Sequence, residues 1–334
     1  MKKILYIGNN LKNSSSNLSG IQILGPLLES EGYGLNYASS KSNKLLRLFD
    51  MLFSCLRYSK KVDVVLIDTY STQNFYYAYL VSQICRFYNV PYIPILHGGN
   101  LPKRLQSHPK KSQNLFNNAL CCIAPSLYMK EEFEQQGYTN IKHIPNTIEI
   151  YQYPISKKKF DIPKLLWVRS FSKIYNPQLA IKVIKSLRSL YPDAQLCMVG
   201  PDSDGTLRKV KKLAKNLDLN VKFTGKLTKQ EWIDISKDYN IFINTTNFDN
   251  TPVSVIEAMA LGLPVVSTNV GGMPFLIDSN NGVLVEPNNE DQMIKAIIDI
   301  LNDDIKRDQI IKNARLKVEG FDWQKVKELW IDVL

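Results

Sequence analysis

Two carboxylates eight residues apart, Asp249 and Glu257, bracket the run Thr251-Pro252-Val253-Ser254-Val255. The apolar run Ile241-Phe242-Ile243 precedes them, and a helix-compatible stretch, Val253 to Leu261, contains the second. A strand, a loop and the first turn of a helix are therefore expected in that order. The first turn of a helix has unpaired N–H groups and the positive end of the macrodipole. Main-chain donors around Val253, Ser254 and Val255 could thus hold a phosphate. Glu257, near the helix start, could accept two hydrogen bonds from vicinal ribose hydroxyls, and Asp249 could present a second carboxylate to a sugar from the loop. Taken alone, Glu257 reads as a solvent-facing helix acid; the whole constellation changes that reading.

Two cations are placed for complementary work. Arg169 and Lys173 follow the run Lys164 to Val168. An arginine fork and a lysine point charge could together neutralise a diphosphate without a metal ion, the alternative being two solvated loop cations. Val199-Gly200-Pro201-Asp202-Ser203-Asp204-Gly205 again reads as strand, tight glycine turn and helix start. Its Asp-x-Asp triplet resembles a metal-binding pattern, but Asp, Ser and Gly are ordinary turn and cap residues, and that reading is preferred. His97, His108 and His143 show no ligand spacing, and the five cysteines lack any Cys-x-x-Cys pair. Neither a metal centre nor a disulfide framework is expected; the cysteines read as buried small hydrophobes.

Positioning these groups requires strands that end in loops. Short Val/Ile/Leu-rich runs alternate with helix-patterned stretches through the chain, the signature of parallel βαβ units. Strands are expected at about 3–8, 34–38, 62–68, 92–96, 120–124 and 141–144, with helices at 20–31, 42–58, 72–88 and 126–136. The alternation pauses at Ile144-Pro145-Asn146-Thr147, Tyr153-Pro154 and Lys157-Lys158-Lys159. It restarts at 164–168 and ends in helical patterns at about 289–302, 304–317 and 323–333. At 334 residues the chain exceeds what one core usually supports. The reading is α/β with two Rossmann-like, doubly wound parallel-sheet domains facing across a cleft: residues 1–150, a linker at 151–162, residues 163–318, and a closing segment 319–334. Ligands of such sheets bind beyond the carboxyl ends of the strands.

Net charge is +11, and residues 1–150 hold 16 Lys and Arg against 9 Asp and Glu. An anionic partner is expected. No apolar run is long enough to span a bilayer, and the opening Met1-Lys2-Lys3-Ile4-Leu5-Tyr6-Ile7 is too short for a signal-peptide core, so a cytoplasmic location is expected. Residues 41–61 form a basic amphipathic pattern that suits either a crossover helix packed on a sheet or a helix lying on the inner face of the cell membrane. The basic residues match no nucleic-acid-binding module.

The segment from Asp249 to Glu257, followed by Ala258-Met259-Ala260, Gly262, Pro264-Val265-Val266 and Gly271-Gly272, resembles the signature of glycosyltransferase family 4, the retaining GT-B transferases. Ser19-Gly20-Ile21 is similar to that family's N-terminal glycine loop, Leu96-His97-Gly98-Gly99 to its histidine loop, and Phe321-Asp322-Trp323 to the start of its closing helix, which crosses back onto the N-terminal domain. The resemblance implies Arg169 and Lys173 on the donor diphosphate, Glu257 on the ribose and Asp249 on the donor sugar. It implies main-chain phosphate contacts at Val253 to Val255, close donor approach at Gly20 and the Gly200 turn, and His97 on the transferred sugar, with His97 as general base the alternative. It implies no metal or other cofactor. Three departures stand out: Asp249 replaces the usual Glu, the Arg169-to-Lys173 interval is tighter, and Phe275 replaces a common Glu. The activity implied is retaining transfer from a nucleotide diphosphate sugar to a glycan or lipid-linked acceptor in polysaccharide biosynthesis. A GT-B sugar-nucleotide epimerase and a non-catalytic sugar-nucleotide-binding subunit are the alternatives.

Overall fold

The computed structural model describes residues 1–11 and 19–334; residues 12–18, in the polar loop read after the first strand, lie outside the described residues. Two compact units emerge from the packing: Met1–Thr147 together with Trp323–Leu334, and Ile148–Asp322.

The first unit runs β1 (Lys3–Ile7), α1 (Gly20–Ser30), β2 (Gly34–Ala38), α2 (Lys44–Tyr58), β3 (Val64–Thr69), α3 (Asn74–Phe87) and β4 (Tyr92–Leu96). It continues through α4 (Leu101–Ser107), α5 (Pro109–Phe116), β5 (Cys122–Ala124), α6 (Leu127–Gln135) and β6 (Ile141–His143). The second runs β7 (Lys164–Val168), α7 (Pro177–Leu190), β8 (Gln195–Val199), α8 (Thr206–Asn216), β9 (Lys222–Gly225), α9 (Lys229–Ser236) and β10 (Ile241–Asn244). There follow α10 (Val253–Ala260), β11 (Val265–Thr268), α11 (Met273–Leu276), β12 (Val283–Val285), α12 (Glu290–Asn302) and α13 (Asp304–Glu319). The last helix, α14 (Trp323–Ile331), belongs to the first unit.

Both sheets are six-stranded and parallel, in the orders β2-β1-β3-β4-β5-β6 and β12-β11-β10-β7-β8-β9. Central strands such as β1, β3, β7 and β10 are apolar runs because helices cover both of their faces. In each sheet the winding reverses once, between β1 and β3 in the first and between β7 and β10 in the second. At such a reversal the two adjacent loops diverge to opposite faces and leave a ligand crevice.

The expected strands are all present within a few residues of their predicted ends. The sequence reading contained no helix between residues 97 and 119, where α4 and α5 stand. Pro102 and Pro109 occupy the first turns of these two helices, where the missing N–H costs nothing. The five cysteines are buried and unpaired. Residues 151–162, read as a linker, are fastened to the second unit: Asn240 donates to the carbonyls of Lys159 and Ile162 at 2.7 and 2.8 Å and accepts from the Lys164 N–H at 2.9 Å. Among the described residues no helix is long and apolar enough to cross a membrane.

Candidate functional site

At the reversal of the second sheet, the loop leaving β7 supplies Arg169 and the loop leaving β10 supplies Asp249. An Arg169 Nη2 to Asp249 Oδ2 ion pair joins them, the side chains 17% and 12% exposed. Such a pair is shielded enough for its charges to be felt strongly. The Arg169 guanidinium lies over the Tyr175 ring, 4.3 Å from its centroid, and its buried Nε has no hydrogen-bond partner among the described residues. Burial lowers the proton affinity of Arg169 and the neighbouring Tyr175 hydroxyl works against that shift. The other Asp249 oxygen accepts the Asn250 N–H at 2.9 Å.

Close backbone packing fixes this loop. A β-carbon on Gly271 would fall 2.1 Å from the Asp249 carbonyl oxygen, and one on Gly272 would fall 1.9 Å from that of Asn250. The Gly272 N–H donates to the Asp249 carbonyl at 2.9 Å. The Gly-Gly pair therefore shapes the loop that carries Asp249. Gly200 plays the matching part for Arg169, since its β-carbon would lie 1.8 Å from the Arg169 carbonyl oxygen at a φ of +145°.

Helix α10 begins directly after the Asp249 loop. Among the described residues the Val253 and Ser254 N–H groups have no hydrogen-bond partner, whereas Val255 N–H donates to the Pro252 carbonyl at 3.0 Å. The free main-chain donors among the described residues are thus Val253 and Ser254, and the buried Ser254 Oγ also has no partner among them. Lys173 is exposed, without an ion-pair partner among the described residues. Its N–H and the Ser172 hydroxyl donate to Asp204 Oδ2 at 3.0 and 2.9 Å. Asp204 Oδ1 accepts from both the main chain and the hydroxyl of Thr206. These bonds, led by the Thr206 hydroxyl, hold its pKa at about 2. Turn and cap chemistry accordingly accounts for the Asp-x-Asp triplet.

Glu257 is buried, 6% exposed, which rules out a solvent-facing helix acid. Its Oε1 accepts from the Tyr153 hydroxyl at 2.7 Å and from Lys229 Nζ at 2.5 Å. Lys229 also donates to Tyr153 at 2.8 Å. Burial, then Glu257, pushes the Tyr153 hydroxyl far up, so it stays a donor. Among the described residues both bonds to the Glu257 side chain fall on Oε1, which leaves Glu257 Oε2 with acceptor capacity. Sequence reasoning missed both partners: Tyr153 lay in the presumed linker, and Lys229 is one of many lysines.

In the first unit, the reversal brings together β1, β3 and the loop after β4. Asp68, near the end of β3, has a fully buried side chain whose Oδ1 bonds His97 Nε2 at 2.8 Å and the Tyr6 hydroxyl at 3.1 Å. Its Oδ2 is buried without a partner among the described residues. Burial, then the Asp68 charge, raises the Tyr6 hydroxyl. The His97 ring stacks on Tyr70 with centroids 5.1 Å apart. Two glycines make the space: a β-carbon on Gly20 would lie 2.9 Å from the His97 ring, and one on Gly8 would lie 2.4 Å from Asp68 Oδ2. His97 and Gly20 are therefore neighbours, and Asp68, unremarked in the sequence, is the group that orients the histidine.

Two doubly wound parallel-sheet units of this kind define the GT-B class of glycosyltransferase folds. The fold matches that of Anabaena HepE, solved in complex with UDP-glucose, with a TM-score of 0.80 over 99% of both chains at 18% identity. Residues 152–317, most of the second unit, match the family described as glycosyl transferases group 1. It is 29% identical over 163 residues to the GDP-mannose-dependent monoacylated alpha-(1-6)-phosphatidylinositol monomannoside mannosyltransferase of Corynebacterium glutamicum, covering 46% of this chain and 42% of that protein. It is 26% identical over 215 residues to the UDP-Gal:alpha-D-GlcNAc-diphosphoundecaprenol alpha-1,3-galactosyltransferase of Escherichia coli, covering 58% and 54%. The chain spans about half the length of these curated relatives.

Proposed function

We propose that this protein transfers a sugar, with retention of anomeric configuration, from a nucleotide diphosphate sugar to a hydroxyl of a glycan or lipid-linked acceptor in polysaccharide biosynthesis. The observation that carries the reading is the Arg169–Asp249 pair at the sheet reversal, beside the unpaired Val253 and Ser254 N–H groups of α10. In this proposal the donor diphosphate lies against Arg169, Lys173 and the α10 N-terminus, and Glu257 Oε2 accepts from the ribose hydroxyls. Asp249, one methylene shorter than the usual Glu, reaches a donor sugar hydroxyl. From the family resemblance, His97, beside Gly20, contacts the transferred sugar.

The bond from the anomeric carbon to the diphosphate oxygen breaks as the acceptor oxygen bonds that carbon on the same face. The acceptor proton passes to the departing diphosphate oxygen. Negative charge grows on the diphosphate, and preorganised cations and main-chain donors aimed there lower the barrier without a metal ion. Relatives named for a phosphatidylinositol monomannoside and a diphosphoundecaprenol acceptor support the lipid-linked acceptor class.

A panel of UDP-, GDP- and ADP-sugars should raise the thermal midpoint for one nucleotide class, because a ligand of the native state stabilises it. Arg169→Ala and Glu257→Ala should lose that shift and most turnover; wild-type rates in both would refute the proposal. Product analysis without acceptor distinguishes donor epimerisation, and binding without turnover across an acceptor panel distinguishes a non-catalytic subunit.

A further inference from the structure

Helix α2 has two apolar faces. One packs into the first unit through Met51 and Cys55, with Arg47 folded over it and bonded to the carbonyls of Lys41 and Ser42 at 2.9 Å each. This face answers to the ordinary demand that a crossover helix cover its sheet. The other face does not. Leu45, Leu46, Phe49, Phe53 and Leu56 are 49–68% exposed. At about 100° per residue they fall within an arc of roughly 100°, on the side of the helix facing away from Met51 and Cys55. A continuous stripe of large exposed side chains is uncommon on a protein that works free in water.

Cations mark both ends of the stripe. Lys41 and Lys44 are exposed at its start, and Arg57, Lys60 and Lys61 at its finish. None has an ion-pair partner among the described residues, and the only acid on α2 is the half-buried Asp50. We propose that this face of α2 lies in the interfacial layer of a membrane containing anionic phospholipid. Its leucines and phenylalanines would enter the acyl boundary while the terminal lysines and arginine stay at headgroup depth. Charge selects this occupant over a second copy of the chain. Two-fold pairing of the stripe would set one cationic end against another, without an acid to relieve the repulsion. The surface goes beyond the transfer reading and does not depend on it.

The test is flotation of the full chain with phosphatidylcholine vesicles, with and without phosphatidylglycerol, at low and high salt. Binding should require phosphatidylglycerol and weaken as salt rises. The double variant Phe49→Ser with Phe53→Ser should bind at least about tenfold more weakly, and Lys60→Glu with Lys61→Glu should bind weakly at low salt. Because these side chains face solvent, both variants should keep the wild-type melting temperature and any sugar-nucleotide shift, which separates failure of this proposal from failure of the donor-site reading. Absence of vesicle binding, equal binding by the phenylalanine variant, or a wild-type dimer that the same variant dissolves would each overturn it.

Discussion

Three of the residues expected to act on a ligand, His97, Glu257 and Asp249, are each held by residues whose type says little by itself. Asp68 holds His97: an ionised carboxylate only accepts, so Nε2 donates in this bond and the ring is turned with Nδ1 away from Asp68. Asp68→Asn should preserve the packing but lose this orientation, so turnover should fall on the order of 100-fold, the lower end of what a positioned acid–base group usually contributes. If the two act as one unit, the double variant with His97→Ala should be no slower than His97→Ala alone, and kinetics of the four proteins check this. The same logic links Glu257 to Tyr153 and Lys229, and Asp249 to the carbonyl-hugging Gly271 and Gly272. Asp249, Glu257 and Arg169 stood out in the sequence because a strand, loop and helix frame them. Asp68, Tyr153 and Lys229 did not, because their significance lies in contacts spanning 28 to 104 positions of the chain.

Among elements, the segment between β6 and β7 shows how a run of lysines can be structural. Lys158 donates to the Ser236 carbonyl at 2.6 Å, and burial lowers its pKa from the ordinary 10.5 to about 8. Between those two values the unfolded chain binds the additional proton, so stability should rise with pH across the interval, the cost being fully present below pH 8. Lys158→Met should remove that slope and, near neutrality, stabilise by about 1 kcal/mol after allowance for solvent screening. Urea midpoints of both proteins from pH 7 to pH 10.5 decide it. Strand positions were legible because two buried faces demand continuous apolar runs. α4 and α5 were not, because Pro102 and Pro109 look like breaks until their place in a first helical turn is known.

Across the whole molecule, the last helix is covalently continuous with the second unit yet packs in the first. Trp323, Val326 and Trp330 of α14 are buried with Ile4, Tyr6, Ile21 and Val64, and the Trp323 indole donates to Glu31 at 3.0 Å. Trp330→Ala should therefore weaken the first unit by about 3–5 kcal/mol. Denaturation followed by a probe in that unit should show it, while any stabilisation of the second unit by a sugar nucleotide persists.

The sequence alone determined the alternation of strands and helices, the α/β class and the strand, loop and helix start that frame Asp249 and Glu257. Those are local properties: periodicity, glycine placement and the free donors at a helix start. Tertiary structure decided that Glu257 is buried against Tyr153 and Lys229 and that Asp68 stands behind His97. It also decided that α2 shows an apolar face to solvent as well as to the core. Each depends on which side of an element faces a neighbour distant in sequence, and residue order does not state that until the sheets are assembled.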